Sequence, residues 1–393
     1  MLLHSSSRRS LASSFRLVAP FTSSSSSTAL FSLVTSQRRA YSEDTHQVTA
    51  TSAKPKRVIF SGIQPTGIPH LGNYFGALQR WVQQQNEADA DTANIYSLVD
   101  LHAITVKQNP KQLRQWRKES LAVLLAVGLD PKKSTIFFQS HVPAHSELMW
   151  ILSCTASVGY LSRMTQWKSK LALEDNAKPF DTPLQLGLFS YPVLQAADIL
   201  VHRATHVPVG EDQCQHLEFA RECAAAFNRA YGKVFVEPAT VLSPAKRIMS
   251  LTNPTKKMSK SDLNEKSRIL ITDDSAIIKS KVNKAITDSE DAITFDPATR
   301  PGLSNLLQLL FYAEGRVNGG PDELAKELQG ASKRAIKERT SKAIDGLLRP
   351  VRERYEEIIQ NDKYLEEVAE VGAEKARKSA AETMKLVKEA VGF

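Results

Sequence analysis

Apolar residues change their spacing twice along this chain, and the changes divide it. Val58 to Ser61 carries β-branched and aromatic residues almost without a polar break, as in a strand buried on both faces. Asn73 to Gln85 has helical spacing, and the turn between the two is built on Gly62, Pro65, Gly67 and Pro69. The alternation then repeats: Ile95 to Val99 predicts a strand, Lys111 to Val127 a helix stopped by Gly128, Thr135 to Gln139 a strand and Ala144 to Ser157 a helix. Pro183 to His202 and Glu211 to Tyr231 predict two more helices around an extended piece at Thr205 to Val209. Beyond Asp273 strand signals stop. Helices are predicted over Ala276 to Ile286, Leu303 to Glu314, Asp322 to Leu328, Ala331 to Leu348 and Val351 to the end. Such a pattern predicts an α/β fold with a doubly wound parallel sheet over residues 57–272, followed by an α-helical domain over 273–393.

The first residues belong to neither pattern. Met1 to Ser42 holds Arg8, Arg9, Arg16, Arg38, Arg39 and abundant serine, with no acid before Glu43. That is the composition of an organelle transit peptide, expected over 1–41 with a flexible lead-in over 42–56 and a destination in the mitochondrial matrix. It also changes the charge. The whole chain has 51 basic and 42 acidic residues, but removing those five arginines leaves 46 against 42, about +4. Basicity of the whole is then weak evidence for RNA binding, and local clusters must carry it. No apolar run reaches the roughly 18 to 20 residues of a membrane span. Cys154, Cys214 and Cys223 form no CxxC pair, and His102, His141, His145, His206 and His216 lack metal-ligand spacing, so no structural zinc is expected.

The strand–turn–helix joint from Ser61 to Leu78 is where chemistry is expected. A helix opening beyond a strand end leaves unpaired N–H groups and the positive end of its dipole facing outward, which suits a phosphate. Taken alone the joint is common in α/β proteins, and His70 reads equally well as an ordinary turn histidine. A second segment, Lys257-Met258-Ser259-Lys260-Ser261, changes the weight of the first. Farther along, Tyr191, Gln195 and Asp198 fall at i, i+4 and i+7, on one face of a helix otherwise rich in Val, Leu, Ala and Ile. A structural salt bridge is the plainer reading of Asp198.

His70-Leu71-Gly72-Asn73 resembles the HIGH signature, and Lys257 to Ser261 matches the KMSKS signature, of class I aminoacyl-tRNA synthetases. With SGIQPTG before His70, Val99 to Thr105, Tyr191 to Asp198 and Pro208 to Gln213, the chain is similar to tryptophanyl-tRNA synthetases from about Arg57 to its C-terminus. The resemblance implies a Rossmann-like catalytic domain, an anticodon-binding helical domain, and a homodimer across which tRNA(Trp) lies. It implies that L-tryptophan and ATP, with Mg2+ on the triphosphate, give tryptophanyl-adenylate and pyrophosphate before transfer to tRNA.

Residue by residue, the resemblance gives catalytic roles to His70, Asn73, Lys257 and Lys260. ATP contacts are implied for Gln64, Pro65, Thr66, Gly72, Asn73, Gly210, Glu211, Asp212, Ile248, Lys257, Met258, Ser259, Lys260 and Ser261. Tryptophan contacts are implied for Phe60, Tyr191, Gln195, Asp198 and Gln213. Asp198 would accept the indole N–H, and Phe60 would pack on the ring or serve as core. Gly72 would let the nucleotide approach the helix. Two positions depart from the family's common pattern. Asn73 replaces a histidine, leaving more charge stabilisation to the lysines, and Gln195 stands where many relatives carry methionine. A carboxylate nucleophile is already ionised at neutral pH, so activation needs positioning and charge stabilisation rather than a base. A tyrosyl-tRNA synthetase, a small nucleotidyltransferase and a synthetase-derived RNA-binding protein are the competing readings. Ser162 to Lys170, mixing basic and aromatic residues, suits RNA or a second subunit. The amphipathic Tyr364 to Val391 suits anticodon phosphates or simply a solvated face.

Overall fold

Alternate residues of each strand enter different cores, which fixes the architecture. Tyr96, Leu98, Ile136 and Phe138 point into one hydrophobic cluster, while Phe60, Ile95 and Phe137 point into another. The computed structural model describes residues 57–171, 182–210, 213–242, 247–260 and 262–393; the expected transit segment and lead-in lie outside them. Pro55–Phe393 forms one compact unit.

The sheet has five strands: β1 (Arg57–Ile63), β2 (Thr92–Leu98), β3 (Ser134–Phe138), β4 (His206–Val209) and β5 (Ala239–Leu242). Their order is β3-β2-β1-β4-β5, and every pairing is parallel. The chain winds outward from β1 to one edge and then returns to build the other. The topological switch therefore lies between β1 and β4, where ligands of such sheets bind at the carboxyl ends.

Helices cover both faces. After β1 come a single turn α1 (Leu71–Asn73), a π-helical segment (Tyr74–Leu78) and α2 (Gln79–Glu87), so the helix predicted from Asn73 is wound more widely where it leaves the joint. A short α3 (Asp100–Ala103) precedes α4 (Pro110–Ala126). The start and stop of α4 follow its sequence: the Asn109 side chain accepts from the N–H groups of Lys111 and Gln112, Pro110 opens the helix, and Gly128 takes φ +113° beyond its end. Next are α5 (Ala144–Ser153), α6 (Val158–Arg163), α7 (Gln166–Lys170), α8 (Leu186–Leu200) and α9 (Cys214–Tyr231). The predicted helix from Ala144 stops at Ser153. The basic and aromatic stretch from Ser162 folds into short helices whose Trp167 is buried.

Beyond the sheet lie α10 (Ser275–Asn283), α11 (Pro301–Ala313), α12 (Pro321–Glu327), α13 (Lys333–Ile359) and α14 (Asp362–Val391). Leu303, Leu307, Leu310, Leu324 and Ile336 give this part a small core of its own. The break predicted before Val351 is absent, because α13 continues through Pro350. Both Pro350 and Gly346, the residue whose carbonyl loses its partner, are exposed, so solvent can satisfy that carbonyl. The break falls at Asn361, whose side chain caps α14.

The last helix returns to the sheet. Leu365, Val368 and Ala369 join one core and Ala373, Ala376, Ala380, Met384 and Val387 the other, so α14 lies across the edge strand β3. Between those groups Gly372 meets the strand: a Cβ there would sit 1.7 Å from the Ile136 carbonyl oxygen. Only glycine permits this approach, and the helix covers an edge that would otherwise be open to another chain.

Candidate active site

At the carboxyl end of β1 the chain turns through Gly67, whose φ of +123° glycine adopts without strain, and reaches His70 in extended conformation. The His70 carbonyl accepts from the N–H groups of Asn73 (2.8 Å) and Tyr74 (3.0 Å). The Asn73 Oδ1 in turn accepts the His70 N–H at 3.1 Å. This explains what asparagine does here: its oxygen caps the turn and its amide nitrogen remains a donor. A protonated histidine could not supply that acceptor.

The second signature arrives from far along the chain. Met249 and Lys257 form an antiparallel bridge, with Met258 N–H donating to Ile248 at 3.0 Å, which brings Ile248 and the lysine loop to the joint. Met258 is buried in the core, so its side chain anchors the loop. Lys260 Nζ donates to the carbonyls of Gln64 (3.2 Å) and Gly67 (3.1 Å). A further strip closes the other side: Leu71 N–H donates to Ile269 and Ile271 N–H to Pro69.

Charge here is one-sided. Burial pulls the Lys260 ammonium down to about 8. His70 is pulled to about 3, first by burial and then by Lys260, Arg268 and Lys257 around it, so its ring is neutral at physiological pH. His70 Nδ1 is buried with no hydrogen-bond partner. A neutral ring with an orphaned nitrogen and lysines around it could receive anionic oxygens, whereas the N–H groups of Leu71, Asn73 and Tyr74 are already taken by backbone carbonyls. A Cβ at Gly72 would stand 2.9 Å from His70 Cε1 and 3.7 Å from Ile248 Cβ. The space that glycine keeps open is therefore filled first by the His70 ring, with Ile248 behind it. Arg268, which sequence reasoning did not single out, adds positive charge beside the joint and donates to the Asp262 carbonyl at 2.7 Å.

Across the switch, the end of β4 leads to Gly210, whose carbonyl accepts from Gln213 at 3.0 Å. Glu211, Asp212 and Ser261 lie outside the described residues. Gln195 Nε2 donates to Gln213 Oε1 at 3.2 Å. Tyr191 Oη contacts Gln166 Oε1 and His216 Nε2, both at 2.8 Å. The predicted face of α8 is thus a polar strip, with each member held from another element.

Asp198 is its hub. Gln139 Nε2 (2.7 Å) and His145 Nδ1 (2.7 Å) meet Oδ1, and His102 Nε2 (2.9 Å) meets Oδ2. Burial acts to raise this carboxyl, but the bonds and charge of His102 and His145 outweigh it and hold the group at about 2. It is an anion, so each of these nitrogens donates. Phe60 is buried in the core, and one face of its ring stacks on His202 at 5.7 Å. Sequence reasoning did not single out Gln139, His145, His102, His216 and Gln166 as partners of the candidate residues. Of these only His102 lies in a block that the family resemblance had marked. Among the described residues no group of three or more His, Cys, Asp or Glu is arranged to hold a metal ion. No helix among them is long and apolar enough to cross a membrane.

A parallel sheet with a lysine loop closed over the joint beyond its first strand is the frame of class I synthetases. The profile of the tRNA synthetases class I (W and Y) matches residues 52–349, and the chain belongs to that family. Its place within the family is with the tryptophan–tRNA ligases. It is 44% identical over 354 residues to the mitochondrial tryptophan–tRNA ligase of Schizosaccharomyces pombe, covering 87% of this chain and 97% of that one. It is 43% identical to the tryptophan–tRNA ligase of Clostridium perfringens, over 86% of this chain and 98% of the relative. Among solved structures, tryptophanyl-tRNA synthetase from Mycoplasma pneumoniae superposes with a TM-score of 0.74 at 33% identity, covering 86% of this chain and 98% of that one. The Campylobacter jejuni enzyme complexed with ADP and tryptophan does so at 0.69 and 31%, covering 86% and 100%.

Proposed function

We propose that this chain charges tRNA(Trp) in the mitochondrial matrix, with both chemical steps run at the switch between β1 and β4. In the first, a tryptophan carboxylate oxygen attacks the ATP α-phosphorus and the bond to pyrophosphate breaks, leaving tryptophanyl-adenylate. In the second, a terminal ribose hydroxyl of the tRNA attacks the adenylate carbonyl and AMP departs. His70 and the Asn73 amide hold phosphate oxygens. Gln64, Pro65 and Thr66 line the turn against the nucleotide, with Gly72 and Ile248 on the adenine side. Lys257, Ser259 and Lys260 follow charge onto pyrophosphate, with Ser261 beside them. Gly210, Glu211 and Asp212 flank the ribose. Tyr191, Gln195, Gln213 and Phe60 surround the amino acid, whose indole N–H meets Asp198. Magnesium enters on the triphosphate as part of the substrate, screening its charge.

The observation that carries this reading is the reach of Lys260 across 196 and 193 residues to the carbonyls of Gln64 and Gly67 in the turn before His70. Catalysis by positioning requires those segments on one ligand. Matrix residence rests on the arginine-rich, acid-free first 41 residues and on the mitochondrial relative. The helices beyond residue 273, which share the sheet's cores and add a small cluster of their own, are assigned to receiving the anticodon on the family resemblance. Assembly into a homodimer is supported by the large apolar side chains Trp150, Val158 and Leu186, left exposed on α5, α6 and α8. ATP–pyrophosphate exchange with a panel of amino acids tests the reading. Exchange with tryptophan alone is expected; equal exchange with tyrosine would overturn it.

A further inference from the structure

The indole reading of Asp198 leaves open how a buried carboxylate presents one edge to a ligand. An ionised carboxylate accepts about four hydrogen bonds, two at each oxygen. Gln139 and His145 occupy both places on Oδ1, whereas among the described residues Oδ2 receives only His102. One acceptor position remains on the carboxylate, and it is on Oδ2. The two groups on Oδ1 come from opposite sides of a single loop: Gln139 follows β3 directly, and His145 opens α5. Both are fully buried, as is Asp198 itself, and Gln139 is held at its other end by the Leu101 N–H, which donates to its Oε1 at 3.1 Å. His145 is itself wedged between Phe137 at 5.7 Å and His202 at 5.2 Å, and His202 is tied to Ser379 of α14 at 3.1 Å.

We infer that His145 and Gln139 are positioning residues for amino-acid selection: they pin Oδ1 of Asp198 so that the vacant place on Oδ2 is the one offered to the indole N–H. Without them the carboxylate could rotate about its Cβ–Cγ bond or turn an unsatisfied oxygen to another donor. Selection against phenylalanine depends on an acceptor left unpaired by the wrong ligand, and a swivelling acceptor loses that penalty. The inference rests on Asp198 reading the indole.

The test uses the full chain in exchange assays with tryptophan and phenylalanine, comparing His145→Leu, His145→Asn and Asp198→Ala. An asparagine amide nitrogen can stand near the lost Nδ1 and donate to Oδ1, whereas leucine cannot. His145→Leu is expected to raise KM for tryptophan about 10- to 100-fold and to narrow the tryptophan-to-phenylalanine ratio, with KM for ATP within about threefold of the parent. His145→Asn is expected to recover most of both. If KM for ATP rises as much as KM for tryptophan, or if asparagine rescues no better than leucine, the positioning role is wrong. Gln139→Leu gives the same readout if His145→Leu does not fold. Asp198→Ala separates the two levels. If it leaves selectivity unchanged, the indole reading fails; if it relaxes selectivity while His145→Leu and Gln139→Leu do not, only the positioning inference fails.

Discussion

The two ends of the proposed site handle charge in opposite ways. At the end proposed for phosphate, Lys260 and the neighbouring Lys257 and Arg268 crowd a neutral His70, and Lys260 Nζ donates its hydrogen bonds to two backbone carbonyls. At the side-chain end, a single anion, Asp198, is met by three donors from separate elements. The first is electrically unfinished until an anion arrives, and this suits it to stabilising charge that develops during reaction. The second is nearly complete before any ligand arrives, which suits it to rejecting ligands that cannot fill the last place. On the proposed assignment, catalysis and selection would use the same physics, buried charge, with different degrees of prior satisfaction.

Removing the central group of each end should break different quantities. Lys260→Ala is expected to slow adenylate formation about 10²- to 10³-fold with KM for tryptophan nearly unchanged, read by single-turnover formation of the adenylate. Equal losses in rate and tryptophan binding would erase the division between the ends. Asp198→Ala should relax discrimination against phenylalanine about 10²-fold while leaving KM for ATP close to the parent value. Exchange with both amino acids measures it, and unchanged selectivity would show that the anion is structural.

The pH profile sharpens the contrast. With its pKa lowered to about 8, Lys260 is charged below that pH and loses its proton above it. In the free enzyme kcat/KM for ATP should therefore fall about tenfold per unit well above pH 8, and Lys260→Arg should move the fall to higher pH. Asp198, held at about 2, should add no inflection across the same range. Smallest of all, Gly372→Ala should cost about 1–3 kcal/mol in thermal unfolding because the new methyl group meets the Ile136 carbonyl. Since Ile136 lies on the strand that leads to Gln139, any effect on kinetics should appear in KM for tryptophan before KM for ATP.

Much of this was legible along the chain. The parallel sheet showed itself in uninterrupted apolar strands alternating with helical spacing, and the segments proposed for the phosphate are two contiguous motifs. A turn that wraps one ligand draws its groups from neighbouring residues. The face carrying Tyr191, Gln195 and Asp198 was also readable, since helical periodicity alone aligns them. The partners of Asp198 were not. They stand 53, 59 and 96 residues away on different elements, and no local spacing links them. Strand β5 was missed because Ala239–Leu242 is short and half exposed at a sheet edge, without the buried run that marks β1. Pro350 suggested a helix break that exposure of Gly346 made unnecessary.

Resting on Gln64 and Gly67, Lys260 has oxygen neighbours before any nucleotide enters. The proposed move onto phosphate would then be a swap of dipolar oxygens for anionic ones, with only the difference between the two sets gained. That difference widens as negative charge accumulates on the departing pyrophosphate. In that role the resting grip would discount attraction to the ground state more than attraction to the activated complex, favouring turnover over tight retention of ATP.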